Sequence, residues 1–306
     1  MKAPTGGPRW EITRGDAGYP EALLRADKPP ERLYVIGDPA ALEEGLAIVG
    51  ARKATPYGAG CARRFARMAA ERGVVVISGG ARGCDGAAHE AALAAGGRTV
   101  AFLGGGPDVT YPSEHAGLFQ RIVDGGGALV SEHPWGTAPL PWMFRNRNRL
   151  IAALARTTLI VEAGLPSGTF STADYALTAS RDVLVVPGAI TAASSRGANR
   201  LLYQGATPVV DDDSFSDALF SLFGCLKQQE APAGKGKGAA ARTKAPTCPI
   251  AAALAVEPLS MESLLGIAAR NCGNEDPRTW LAVRLAEAEA AGTAARYPDG
   301  TWGPLG

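Results

Sequence analysis

Residues 77–89 read ISGGARGCDGAAH. An apolar run, VVVIS (74–78), stops at glycines, and a small-residue helix is expected to follow from about Asp85. Such a turn offers free backbone N–H groups and the positive end of a helix dipole, which suits a phosphate. Gly79, Gly80 and Gly83 allow a ligand close to the backbone, and Arg82 adds a cation. The stretch is neither GxGxxG, because Ala81 and Arg82 interrupt it, nor a Walker A loop, because no GKS/T follows. A tight turn needing small residues is the plain alternative; a cation beside it favours phosphate.

Two further stretches carry similar chemistry. In LPSGTFSTADYAL (165–177), Ser167, Gly168 and Thr169 would sit at a helix N-terminus, either holding a phosphate or capping the helix. In FRNRNRLIAALA (144–155), Arg145, Arg147 and Arg149 alternate with Asn146 and Asn148. Guanidinium forks and amides suit phosphates and base edges, although a charged run is commonly a solvated helix face. Pro139 and Pro141 keep the upstream chain extended, so the helix is expected to start near Asn148, leaving Arg147 in a loop that turns to the ligand. Trp142 and Phe144 would stack on a base or anchor the helix. SSRGANRLL (194–202) adds Arg196, Asn199 and Arg200 in the same style.

Catalytic constellations are weak. Ser78, Asp85 and His89 resemble a triad only on paper: Asp85 reads as a helix cap, His89 as a packed residue one turn on, and no GxSxG elbow is present. His115 and His133 lack carboxylate or cysteine companions, so neither a metal site nor a cofactor is expected. The five cysteines are scattered with no CxxC pair, consistent with reduced thiols in a cytoplasmic protein. The N-terminus lacks a signal peptide's apolar core, and no apolar run is long enough for a bilayer. A formal net charge of +1 over 306 residues leaves no global field toward DNA, so any basic surface must be local.

These stretches follow strands. The expected strands are LYVI (33–36), LAIV (46–49), VVVIS (74–78), TVAFL (99–103), ALVSE (128–132), TLIVE (158–162), VLVVP (183–187) and TPVV (207–210), with helical stretches between them. Near-continuous apolar strands alternating with helices imply a parallel sheet covered on both faces: an α/β, doubly wound, Rossmann-like fold. Loops after strands then form one rim, where ligands bind in such folds. The main domain is assigned to 1–226. A flexible basic linker follows at 227–247, rich in Ala, Gly, Lys and Pro. Residues 248–306 hold three helical patterns and a PDG turn (298–300), the outline of a winged-helix domain.

VGARKATPYG (49–58), SGGARGCD (78–85), GRTVAFLGGGPDVTYPSEH (97–115), RNRLIAALA (147–155), IVEAGLPSGT (160–169) and SRGANRLLYQGA (195–206) occur in this order. Together they resemble the DNA processing protein A family of bacterial transformation, over roughly residues 10–220. Cys84 stands where that family usually has Ile, Phe170 where a smaller residue is common, and an N-terminal helical domain found in many members is not expected. The resemblance implies binding without chemistry: single-stranded DNA as ligand, a homodimer, and loading of the RecA recombinase. It implies DNA contacts by Arg52, Ser78, Gly79, Arg82, Gly83, Arg147, Asn148, Arg149, Ser167, Gly168, Thr169 and Arg196. The rival is a phosphoribohydrolase of the same fold, which cleaves nucleoside monophosphates with a PGGxGTxxE loop. Here Gly168 and Thr169 are kept, but Ser171 and Thr172 follow and the nearest acid is Asp174, so the carboxylate such cleavage needs is missing.

Overall fold

The computed structural model describes residues 5–165, 167–224, 248–254, 259–273, 275–290, 293–297 and 301–304. The chain divides into two units, Met1–Gln228 and Gln229–Gly306.

The first unit is built on nine strands: β1 (Arg9–Thr13), β2 (Arg32–Gly37), β3 (Gly45–Val49), β4 (Val76–Ser78), β5 (Thr99–Phe102), β6 (Ala128–Ser131), β7 (Ala155–Ile160), β8 (Asp182–Val185) and β9 (Thr207–Pro208). Their order is β1-β2-β6-β5-β4-β3-β7-β8-β9. Strands β3 to β9 run parallel, whereas β2 pairs antiparallel with both β6 (Tyr34↔Ser131) and β1 (Ile12↔Leu33). The sheet is mostly parallel, with an antiparallel edge. Strand β1, RWEIT, escapes sequence reading because an edge strand with one buried residue, Ile12, shows no apolar run.

Seven helices flank the sheet: α1 (Pro56–Ala70), α2 (Cys84–Ala94), α3 (Ala116–Asp124), α4 (Pro141–Leu154), α5 (Thr169–Thr178), α6 (Arg196–Tyr203) and α7 (Asp212–Phe223). Alternate strand residues feed two cores. Leu46 and Ile48 join Phe65, Ala69, Ala88 and Phe215 of α1, α2 and α7. Ala47 and Val49 join Leu150, Ile151, Ala173 and Ala198 of α4, α5 and α6. Both faces being covered is what turns the strands into unbroken apolar runs. The chain steps one way from β3 through β4 and β5 to β6, then crosses by α4 to β7 on the other side of β3. The switch point therefore lies between the carboxyl ends of β3 and β7, where doubly wound folds place ligands.

The second unit has helices α8 (Pro249–Leu254), α9 (Met261–Asn271) and α10 (Pro277–Ala290), and an antiparallel pair, β10 (Ala294–Arg296) with β11 (Trp302–Pro304). Leu281, Leu285 and Ala288 recur at helical spacing and close its core with Leu264, Ala268 and Trp302. The expected linker at 227–247 and the turn at 298–300 lie outside the described residues.

One buried polar group gives this fold a pH signature. His89 of α2 is fully buried, with Nδ1 2.7 Å from Thr99 Oγ1. That hydroxyl donates its proton to the Val76 carbonyl, so Nδ1 is the donor; Nε2 has no partner among the described residues. Burial pushes the imidazole pKa down from 6.5 to about 3. The unfolded chain therefore takes up a proton below 6.5 that the folded chain refuses. This contribution is complete above pH 6.5 and is lost as pH falls towards 3. Between pH 6.5 and 4.5 the loss is about 2 kcal/mol. A His89→Leu variant, whatever its absolute stability, should show that much less pH dependence in denaturant melts over this interval; an unchanged dependence would contradict the assignment.

Candidate nucleic-acid interface

The core-facing stripe of α4 builds the site. Met143, Arg147, Leu150, Ile151 and Leu154 are buried at helical spacing, so an arginine occupies a core position. Only 3 % of Arg147 is exposed. Its Nη1 donates to the Phe102 carbonyl at the end of β5 (2.5 Å), while Nε has no partner among the described residues. Gly79 makes room for it: a Cβ there would overlap the guanidinium. Burial pulls the Arg147 pKa down to about 10, against the favourable field of Asp85, so the group stays charged at neutral pH. Asp85, also buried, accepts from the Ala81 amide (3.3 Å) and is raised above the usual carboxylate range, chiefly by desolvation.

Helix α4 starts at Pro141, not near Asn148. Proline is suited to the first helical position, where no N–H is needed, so Pro141 begins the helix rather than preventing it. Arg147 therefore reaches the crevice from inside a helix and not from a loop.

Two adjoining crevices open at this rim. The larger, about 480 Å³, lies at the switch point, between residues 49–52 after β3 and Gly164, Ser167, Gly168 and Thr169 after β7, with Asp85 and α4 behind. Arg52, Arg147, Asn148, Ser167, Gly168 and Thr169 all line it, as does Arg145. Asn148 Nδ2 donates to Ser171 Oγ (3.0 Å), tying α4 to the first turn of α5, and Ser167 Oγ accepts from the Thr169 amide (3.2 Å). The smaller crevice, about 230 Å³, is lined by Gly79, Gly80, Arg82, Leu103, Tyr111 and Phe144. Arg52, Ala81, Phe144 and Arg147 border both. The Arg52 guanidinium lies 5.2 Å from the Phe144 ring centre, a cation–π contact, and both Arg52 and Arg145 are exposed without an ion-pair partner among the described residues. Arg82 is exposed and pairs with Glu114, whose carboxyl it holds down at about 2.

Four expected contacts lie outside both crevices. Ser78 is wholly buried and donates to the Ile48 carbonyl (2.6 Å), which spends its hydroxyl on the sheet. Gly83, at φ +75°, packs against the Ala51 carbonyl and so sets how the two glycine loops abut. Arg196 is exposed at the start of α6, away from the crevice walls. Arg149 is buried in a two-pronged pair with Glu132 (3.0 and 2.6 Å) and donates to the Lys28 carbonyl (3.1 Å). It pins α4 to the end of β6. Ser78, Asp85 and His89 do not join: each bonds a different backbone or hydroxyl partner. Arg145 and Asp85 were not among the expected contacts. Only the true start of α4 shows that Arg145 and Asn148 share its outer face, and Asp85 reads as a cap in any sequence.

The architecture is that of a doubly wound, Rossmann-like α/β protein with its crevice at the switch point. The chain belongs to the DNA recombination-mediator protein A family, which matches residues 10–220. It is 47 % identical over 188 residues to the putative DNA processing protein DprA of Mycobacterium tuberculosis, covering 60 % of this chain and 48 % of that one. It is 42 % identical over 202 residues to protein Smf of Escherichia coli, covering 66 % and 54 %. The chain thus spans about half the length of these curated relatives. DNA processing protein A of Streptococcus pneumoniae superimposes with a TM-score of 0.64 at 34 % identity, over 68 % of this chain and 73 % of that one. DNA processing protein A of Helicobacter pylori, described for its single-stranded DNA binding mode, does so at 0.64 and 30 %, over 71 % and 98 %. Among the described residues no helix is long and apolar enough to cross a membrane.

The Arg149–Glu132 pair is a structural anchor. Replacing Arg149 by Ala leaves Glu132 half-buried and uncompensated, which should cost about 3 kcal/mol in denaturant melts. A melt unchanged from the parent would return Arg149 to the list of ligand contacts.

Proposed function

We propose that the first unit binds single-stranded DNA, with backbone phosphates seated in the larger crevice. The observation that carries this reading is Arg147: a buried cation at the crevice wall whose guanidinium is only partly satisfied by the protein. The Phe102 carbonyl and the field of Asp85 supply acceptors and countercharge only in part, and a phosphate at the crevice wall would add both. Arg52 and Arg145 add exposed cations with no ion-pair partner among the described residues. Of the expected contacts, Arg52, Arg147, Asn148, Ser167, Gly168 and Thr169 line this crevice, and Gly79 and Arg82 border the smaller one beside it. The binding described for the Helicobacter pylori relative supports it. With a net charge of +1, affinity must come from this focused patch. The family resemblance further supports a homodimer that delivers its strand to RecA recombinase, and a C-terminal unit of winged-helix type.

A hydrolytic reading has one observation in its favour. Asp85 is the one carboxylate among the described residues lining the larger crevice, and its raised pKa suits a general acid. The Ala81 amide and the field of Arg147 already hold it, whereas Asp174 is exposed beside a different hollow with Arg181 and Leu201. We therefore favour binding without catalysis; nucleoside monophosphates incubated with the protein should release no free base.

Arg52 offers the cleanest test, because it is exposed and its loss should leave the fold intact. Arg52→Ala should weaken single-strand binding and flatten the slope of log K against log salt by about 0.7, with an unchanged thermal melt. An unchanged slope would place the phosphates elsewhere.

A further inference from the structure

We propose that Glu162 is a positioning residue for DNA binding: its buried carboxylate fixes the loop that carries Arg52. This rests on the reading that the first unit binds single-stranded DNA. Glu162 follows β7, is only 2 % exposed and lines neither crevice. Its Oε2 accepts from the amide of Thr55, the N-cap of α1 (2.9 Å). Gly58, in the first turn of α1, leaves it room: a Cβ there would overlap the carboxylate. A buried carboxylate is costly without partners, and the free amides and positive dipole end of a helix supply them. The start of α1 is therefore built around this group.

The loop from β3 to α1 is clamped from both sides. Strand β3 lies between β4 and β7 in the sheet, and each neighbour contributes one tie. From the β4 side, the Cys84 amide donates to the Ala51 carbonyl (3.2 Å). From the β7 side, Glu162 holds Thr55. Arg52, Lys53 and Ala54 lie between the two ties, and the Arg52 guanidinium rests 5.2 Å from the Phe144 ring centre. An arginine on a loose loop spends binding energy on ordering that loop and its own side chain; a loop already held does not. The two ties differ in reach. Ala51 lines the larger crevice, whereas Glu162 is buried behind the loop, so its effect on a bound strand passes through Arg52.

The test titrates decathymidylate at several salt concentrations against the full chain and its Arg52→Ala, Glu162→Ala, Glu162→Gln and doubly substituted Arg52→Ala/Glu162→Ala variants, with a thermal melt of each. Glu162→Ala should weaken binding and flatten the slope of log K against log salt by up to about 0.7, the value of the one phosphate contact that Arg52 supplies. Added to Arg52→Ala, the same change should alter affinity by less than about twofold, because the residue it positions is already gone. Glu162→Gln keeps an oxygen for the Thr55 amide and should bind as the parent does. Should Glu162→Ala fail to fold, Gly58→Ala takes its place with the same expected result: the added Cβ displaces the carboxylate, every crevice residue stays, and alanine suits a helix better than glycine. A lowered melt with parental affinity and slope would make Glu162 a residue of the fold alone and overturn the proposal. An equal loss with and without Arg52, or a loss in Glu162→Gln matching that in Glu162→Ala, would also overturn it. If the parent does not bind decathymidylate, single-strand binding itself fails and the positioning role falls with it.

Discussion

A guanidinium buried at the carboxyl ends of the strands is the constraint on which the site depends. Arg147 reaches its place only because three conditions hold together. Helix α4 presents it on the core-facing stripe, Gly79 leaves space for it, and the Phe102 carbonyl accepts one of its protons. Each comes from a different part of the fold. The glycine turn opening at residue 79 is therefore a seat for an arginine as well as a turn, and that arginine lines the crevice wall.

This arrangement sets function against stability. Desolvation lowers the Arg147 pKa and raises that of Asp85, so each group is less at ease as a charge than it would be in water. Neighbouring Arg149 is as deeply buried but has a two-pronged carboxylate partner and a carbonyl, and so serves the fold. Under the proposed binding mode, two arginines two residues apart on one helix take opposite roles. What separates them is the presence of Glu132 beside one and an open crevice beside the other.

Much of the architecture was legible in the chain. Eight strands announce themselves as apolar runs because helices cover both faces of the sheet, and the glycine-rich loops follow strands, which puts them on one rim. Legibility ended where tertiary context decides. Strand β1 has a single buried residue and no pattern to read. The start of α4 was obscured by Pro141, which reads as a breaker yet sits where a helix tolerates it best. From that shift followed the roles of Arg145, Arg147 and Arg149. Ser78 shows the same limit: its neighbours mark a ligand turn, but its side chain points into the sheet and bonds Ile48.

The central claim is that Arg147 is held for its ligand and not for the fold. Replacing it by Gln keeps a donor for the Phe102 carbonyl but removes the buried charge; burial already raises the Asp85 pKa, and loss of the neighbouring cation raises it further. Single-strand affinity and thermal stability should be measured together on this variant. The account predicts at least a tenfold loss of affinity, of the order expected for a charge-assisted contact, with a melting temperature equal to or above that of the parent. A fall in melting temperature with affinity unchanged would contradict it and make Arg147 a structural residue like Arg149.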